Sequence, residues 1–170
     1  MSDEGEKKMI DQENKNGIDP FDCKKDDAVT PVEAIERQFD ADDRQLHDVL
    51  GFLEEELEKH GAGMKQIMAI TLSMEEAFVN VAHYAYEGIG DGTGKVWISM
   101  EFEDDTVSIV MKDQGMEFDP LAKEDPDITA EAEYRKVGGL GIYMIKQSMD
   151  SVMYQRKDGY NILTMKKVYR

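Results

Sequence analysis

The sequence predicts an α+β domain, a two-layer sandwich with a mostly antiparallel mixed sheet and helices on one face. Two alternating segments, Lys95–Phe102 and Thr106–Asp113, follow one another and place an apolar residue at every second position. A second pair, Ser151–Arg156 and Asn161–Val168, flanks Asp158-Gly159, a strong hairpin signal. Elsewhere the apolar residues recur at three- and four-residue steps, the period of a helix. Hairpin-paired strands interrupted by helical stretches give an antiparallel sheet with its helices gathered on one side.

Composition bounds the function. A chain of 170 residues amounts to about one domain. With 41% hydrophobic and 34% charged residues it has an ordinary core and a charged surface. No apolar run reaches the length of a membrane span, and no basic-then-apolar leader follows Met1. A cytoplasmic protein with no membrane partner is therefore expected. The lone Cys23 excludes an internal disulfide framework and a Cys-based zinc site. The net charge of −17 argues against direct nucleic-acid binding. It leaves nucleotides open, because backbone N–H groups and Mg²⁺ can hold phosphates on an acidic protein.

Along the chain, residues 1–30 mix charges with Gly and Pro and carry only scattered apolar side chains, such as Ile18 and Phe21. That is too little apolar area to offset the entropy of ordering, so they read as a flexible acidic tail ahead of a domain over residues 31–170. Val32–Phe39 reads as an edge strand or its lead-in. Asp40–Asp43 offer N-caps to a helix ending near His60 and Gly61, with Leu46, Val49, Leu50, Leu53 and Leu57 as its apolar stripe. A second helix runs from about Met64 to Tyr86, apolar enough to suggest burial on more than one side.

Gly88–Gly94 is glycine-rich but lacks the Lys and Ser/Thr of a P-loop, and reads as a turn into the sheet. After the first strand pair, Gly115–Val137 loses all periodicity and collects acids and prolines. Connections of that length inside a domain are functional lids or disordered. Gly138, Gly139 and Gly141 close it and open a helix over Ile142–Met149.

Three features carry chemistry. On the second helix Ala69, Leu72, Glu76, Val79, Asn80 and His83 share a broad face, where Glu76 and Asn80 are polar one turn apart. A carboxylate beside a carboxamide suits a general base next to a Mg²⁺ ligand; the plainer reading is a solvated helix edge. Asp113 falls on the core-facing phase of its strand, costly unless it accepts hydrogen bonds. Beside it Gly115 would let a flat ring approach the backbone. The glycines Gly138, Gly139 and Gly141 stand at a helix N-terminus, where free N–H groups favour phosphate, and Arg135 and Lys136 are the nearest positive charges of the lid.

In this order and spacing the three stretches resemble the GHKL nucleotide-binding superfamily and its Bergerat ATP-binding fold. Glu76-Ala77-Phe78-Val79-Asn80 is similar to its N-box, Asp113-Gln114-Gly115 to its adenine-binding box, and Gly138-Gly139-Leu140-Gly141 to the glycine box after its ATP lid. The Phe118-Asp119-Pro120 and Gly138–Tyr143 forms resemble the anti-sigma-factor serine/threonine-protein kinase branch. The resemblance covers Val32 to Arg170. It implies ATP and Mg²⁺ as cofactors, Glu76 as base, Asn80 as metal ligand, Asp113 and Gly115 at adenine, and the glycines at phosphate. It also implies an anti-sigma-factor antagonist protein as substrate, a sigma factor as second partner, and a homodimer. Family members commonly carry His-Ala-Tyr where this chain has Tyr84-Ala85-Tyr86, so His83 reads as a packing or surface residue.

The function expected is an ATP-dependent serine/threonine-protein kinase that also acts as an anti-sigma factor in transcription regulation. The rival is a non-catalytic ATP-binding module that switches protein partners, to which the lid acids Glu124, Asp125, Asp127, Glu131 and Glu133 give weight. A histidine kinase catalytic domain is disfavoured, since the short helical lead-in leaves no room for a dimerisation domain.

Overall fold

Strand alternation and helix periodicity meet in one layered unit over Pro31–Arg170. The computed structural model describes residues 34–122, 125 and 140–170. The expected tail, along with Arg135, Lys136, Gly138 and Gly139, lies outside the described residues.

The strands are β1 (Ile35–Asp40), β2 (Lys95–Glu103), β3 (Thr106–Asp113), β4 (Ser151–Lys157) and β5 (Tyr160–Val168). They form one sheet in the order β1-β2-β3-β5-β4, and every ladder is antiparallel, so the mixed pairing expected is absent among the described residues. Register follows the pleat. Val96, Ile98 and Met100 of β2 lie opposite Asp113, Met111 and Ile109 of β3, and all six point to the core. Asp158 and Gly159 both take positive φ, the type I′ geometry that suits a two-residue hairpin. Trp97 falls on the opposite face, edge-on to Tyr160 at 5.7 Å.

One sheet face is covered by α1 (Leu46–Lys59), α2 (Met64–Asn80) and α3 (Leu140–Ser148). A short 3₁₀ turn, Asp43–Gln45, leads into α1. Asp42 caps that turn, accepting from the Arg44 N–H at 2.8 Å, and Arg44 holds its carboxyl down at about 2. The buried stripe of α1 is Val49, Phe52, Leu53 and Leu57, with the Glu56 carboxylate answered by Lys59 at 2.9 Å.

The second helix differs from expectation in two ways. Its core face is Ile67, Ile70, Met74, Ala77 and Phe78, while the face of Ala69, Leu72 and Glu76 turns toward solvent and the cavity described below. Met64 and Met68 are 68% and 64% exposed, so the apolar content does not bury a second side. The α-helix also stops at Asn80, and Val81–Ala85 continues as a π-helical turn before Tyr86. Such wider turns are uncommon and gather at functional sites.

Leu53 is fully buried under α1. Leu53→Ala should lower unfolding free energy by about 2–5 kcal/mol. Met68→Ala should stay within about 0.5 kcal/mol. Urea denaturation of both variants checks this; equal losses would mean that α2 buries its outer face after all.

Candidate functional site

At the end of the sheet where β3 stops, helices and strands leave a cavity of about 660 Å³. Glu76 and Asn80 line it from α2, Asp113 from β3, and Gly141 from the first turn of α3. Residues 65 positions apart in the chain thus face one space. No described helix is long and apolar enough to cross a membrane.

Asp113 is the most constrained of them. It is 3% exposed, and burial pushes its carboxyl up from 3.8, opposed by the hydrogen bond from Asn161, that from Gly115 and the charge of Arg156. The Gly115 N–H and the Asn161 amide both donate to the same oxygen, Oδ1, each at 2.8 Å. Among the described residues neither donates to Oδ2. Among the described residues, then, Oδ1 is the anchored carboxylate oxygen and Oδ2 takes neither of these donors.

Gly115 has a packing reason to be glycine. A Cβ there would overlap the Ala85 carbonyl and methyl, so the π-helical turn by itself demands the bare backbone. The next residue completes the contact, the Met116 N–H donating to the Ala85 carbonyl at 2.7 Å. Tyr86 fastens the same strand end. Its hydroxyl donates to the Lys95 carbonyl at 2.7 Å and accepts from the Gln114 N–H at 2.9 Å.

Gly141 shows the same logic. A Cβ at that place would fall on the Glu76 carboxylate, so the glycine lets the start of α3 close over the side chain read as a base. Of the adjacent pair Glu75 and Glu76, only Glu76 lines the cavity. His83 points elsewhere and pairs with Asp43 at 2.6 Å, which agrees with a surface role.

Three contributors were not read from the sequence. Asn161 sits opposite Asp113 across the β3–β5 ladder, on the core-facing phase of its strand. The signal was there: Asn161, Leu163 and Met165 alternate, and a carboxamide opens the series. Tyr154 also lines the cavity, from β4, and its hydroxyl donates to Asn161 at 2.8 Å. Lys146, on α3, is the only cationic side chain among the described lining residues, and it pairs with Asp125 at 2.8 Å. No spacing rule distinguishes it from a surface lysine.

The family described as "Histidine kinase-like ATPase domain" matches residues 39–167. "Serine-protein kinase RsbW" of Staphylococcus epidermidis is 28% identical over 112 residues, covering 64% of this chain and 70% of that protein. The protein of the same name from Listeria monocytogenes serovar 1/2a is 24% identical over the same lengths. Among solved structures, the RsbU and RsbW domains of Rv1364c from Mycobacterium tuberculosis superpose with a TM-score of 0.59 at 16% identity. That match covers 82% of this chain and 33% of the other, and it bears on the fold alone. With the family match spanning both the sheet and the cavity, the chain belongs to the histidine kinase-like ATPase domain family.

Proposed function

We propose that this chain is an ATP-dependent serine/threonine-protein kinase acting as an anti-sigma factor, with a small antagonist protein as its substrate. One observation carries the reading: Glu76, Asn80, Asp113 and Gly141 line a single cavity. Relatives named as serine-protein kinases support it.

The residues present fit an adenine nucleotide. The cavity lies within the range of roughly 300–1,000 Å³ usual for small-molecule sites. The Asp113 oxygen Oδ2 suits an exocyclic amino group, which donates. Asn80 would hold, through its side-chain oxygen, a Mg²⁺ ion that supplies positive charge to phosphate oxygens. Among the described residues no three His, Cys, Asp or Glu side chains gather as a metal cage. Such an ion would draw its other ligands from phosphate and water, as Mg²⁺ commonly does.

Each residue then has a task. Asp113 fixes the base, Asn80 the metal end, and Glu76 accepts the proton of the incoming Ser or Thr hydroxyl. Gly141 keeps the Glu76 carboxylate against the start of α3. Lys146 offsets part of the negative charge that Glu76, Asp113, Glu117 and Asp125 bring to the cavity wall. Gly138, Gly139, Arg135 and Lys136 belong to the same reading on the phosphate side. So do a sigma factor as second partner, a homodimer and a cytoplasmic setting. The carboxylate-rich wall is the observation that favours the rival, a module that holds ATP and switches partners without transfer. Labelled ATP with antagonist proteins co-purified from the native cell separates the two: tight binding with no partner ever labelled leaves only the module.

Glu76→Gln keeps shape and removes the base. Phosphotransfer should fall by about 10²–10⁴-fold with ATP affinity within a few-fold of the parent. Equal loss of transfer and affinity, measured by single-turnover transfer and calorimetry, would remove Glu76 from the base role.

Asp113→Asn should turn an N–H donor toward the base, because its oxygen remains engaged by Gly115 and Asn161. ATP affinity should drop on the order of tenfold or more. Inosine triphosphate, with oxygen replacing the amino group, should close the gap. Unchanged ATP affinity would take Asp113 out of the site.

A pH dependence follows with a definite sign. Burial raises the Asp113 carboxyl above 3.8, so the folded protein takes up this proton before the unfolded chain does. This group therefore favours the fold below 3.8, and that contribution is lost as pH rises through the raised value. Nucleotide affinity runs the opposite way, because protonation consumes the acceptor. The wild-type loss of ATP affinity on acidification should begin above the ordinary Asp value of 3.8 and be missing from Asp113→Asn. Titration of adenine itself is common to both proteins and cancels in the difference.

A further inference from the structure

We propose that Asn161 is a positioning residue that sets the base specificity of the cavity. It does so by fixing which oxygen of Asp113 faces the ligand. The inference rests on the nucleotide reading above and adds a residue that neither the sequence motifs nor the family match assigns.

The carboxamide of Asn161 is buried and fully engaged. Its Nδ2 donates to Asp113 Oδ1 at 2.8 Å and to the Met116 carbonyl at 2.9 Å. Its Oδ1 accepts from the Tyr154 hydroxyl and from the Arg156 guanidinium, both at 2.8 Å. Two donors and two lone pairs are the whole capacity of the group, so none remains for a ligand. Asn161 therefore acts through Asp113, with no hydrogen bond of its own to offer the base.

Its orientation is dictated by charge. Turning the amide over would set its oxygen against a carboxylate and its N–H groups against a guanidinium. The same guanidinium nitrogen donates to the Gly115 carbonyl at 3.0 Å, so one β4–β5 hairpin holds Asp113, Gly115 and Met116 together. Remove Asn161 and Asp113 loses one of its two described donors, the one that most opposes the effect of burial. The carboxyl is then free to rotate or to carry a proton. A protonated carboxyl donates, and would accept a 6-oxo purine as readily as a 6-amino one.

The test uses the full chain and three probes, ATP, purine-riboside 5′-triphosphate, which lacks the amino group, and inosine triphosphate, each titrated calorimetrically. The parent should prefer ATP over the other two by on the order of 10- to 100-fold, the worth of one hydrogen bond to a charged group. In Asn161→Ser that preference should shrink to within a few-fold, with inosine triphosphate gaining most. The double variant Tyr154→Phe, Arg156→Met leaves Asn161 in place but frees its oxygen from both donors on β4, and should move the same ratio in the same direction. It serves if Asn161→Ser fails to fold. If either folded variant keeps the parent's ratio, whatever its melting temperature, Asn161 is only structural and the proposal is overturned. If the parent itself shows no preference and Asp113→Ala changes none of the three affinities, the adenine reading falls too, a different result from failure at Asn161 alone.

Discussion

A carboxylate withdrawn from water must be answered by donors, and much of this molecule's functional end is arranged around that need at Asp113. Its strand would bury an Ile or Met at that phase without difficulty. An Asp there obliges the backbone beyond β3 to turn so that the Gly115 N–H reaches back, and obliges β5 to begin with a carboxamide. Leaving such a group unanswered costs about 1–3 kcal/mol or more. The donors supplied share one oxygen, Oδ1.

Helix and sheet meet at this same point. The wide turn Val81–Ala85 ends α2 so that the Ala85 carbonyl accepts from Met116 and Tyr86 drops its hydroxyl between the start of β2 and the end of β3. The helix carrying Glu76 and Asn80 is thereby tied to the strand end carrying Asp113. Tyr86 is buried and Tyr84 exposed, so the two tyrosines of Tyr84-Ala85-Tyr86 are not interchangeable. One clamps the loop and the other faces the cavity.

Elements with strong periods were legible in the sequence. β3 runs over the residues expected, and the Asp158-Gly159 turn has its two positive φ values. Asp113 stood out because a charge broke an apolar alternation, and the same rule applied to Asn161 would have found the second half of the pair. Two kinds of information were missing. The face of α2 that meets the core could not be told from its neighbour, because Met64, Met68 and Leu72 are as apolar as the buried set. The glycines at 115 and 141 were legible as glycines but not in their surroundings: a Cβ at 115 would meet the Ala85 backbone and one at 141 the movable Glu76 carboxylate, contacts made only once helix and sheet pack. Long-range packing of this kind leaves no local trace.

The opposite end of the sheet does quieter work. There Asp104 and Asp105 reverse the chain, the Tyr169 N–H donates to the Asp105 carbonyl, and Gly63 at the head of α2 bonds to the Tyr169 carbonyl. β3 alone separates that end from the cavity by about 26 Å, taking eight residues at about 3.3 Å each. The Asp104–Asp105 turn and the cavity therefore lie at opposite ends of β3. Asp104–Asp105 is where a label, tether or inserted peptide can be attached without reaching the cavity. The outwardly similar turn at Asp158-Gly159 is a poor choice, since Asn161 and Arg156 stand within three residues of it.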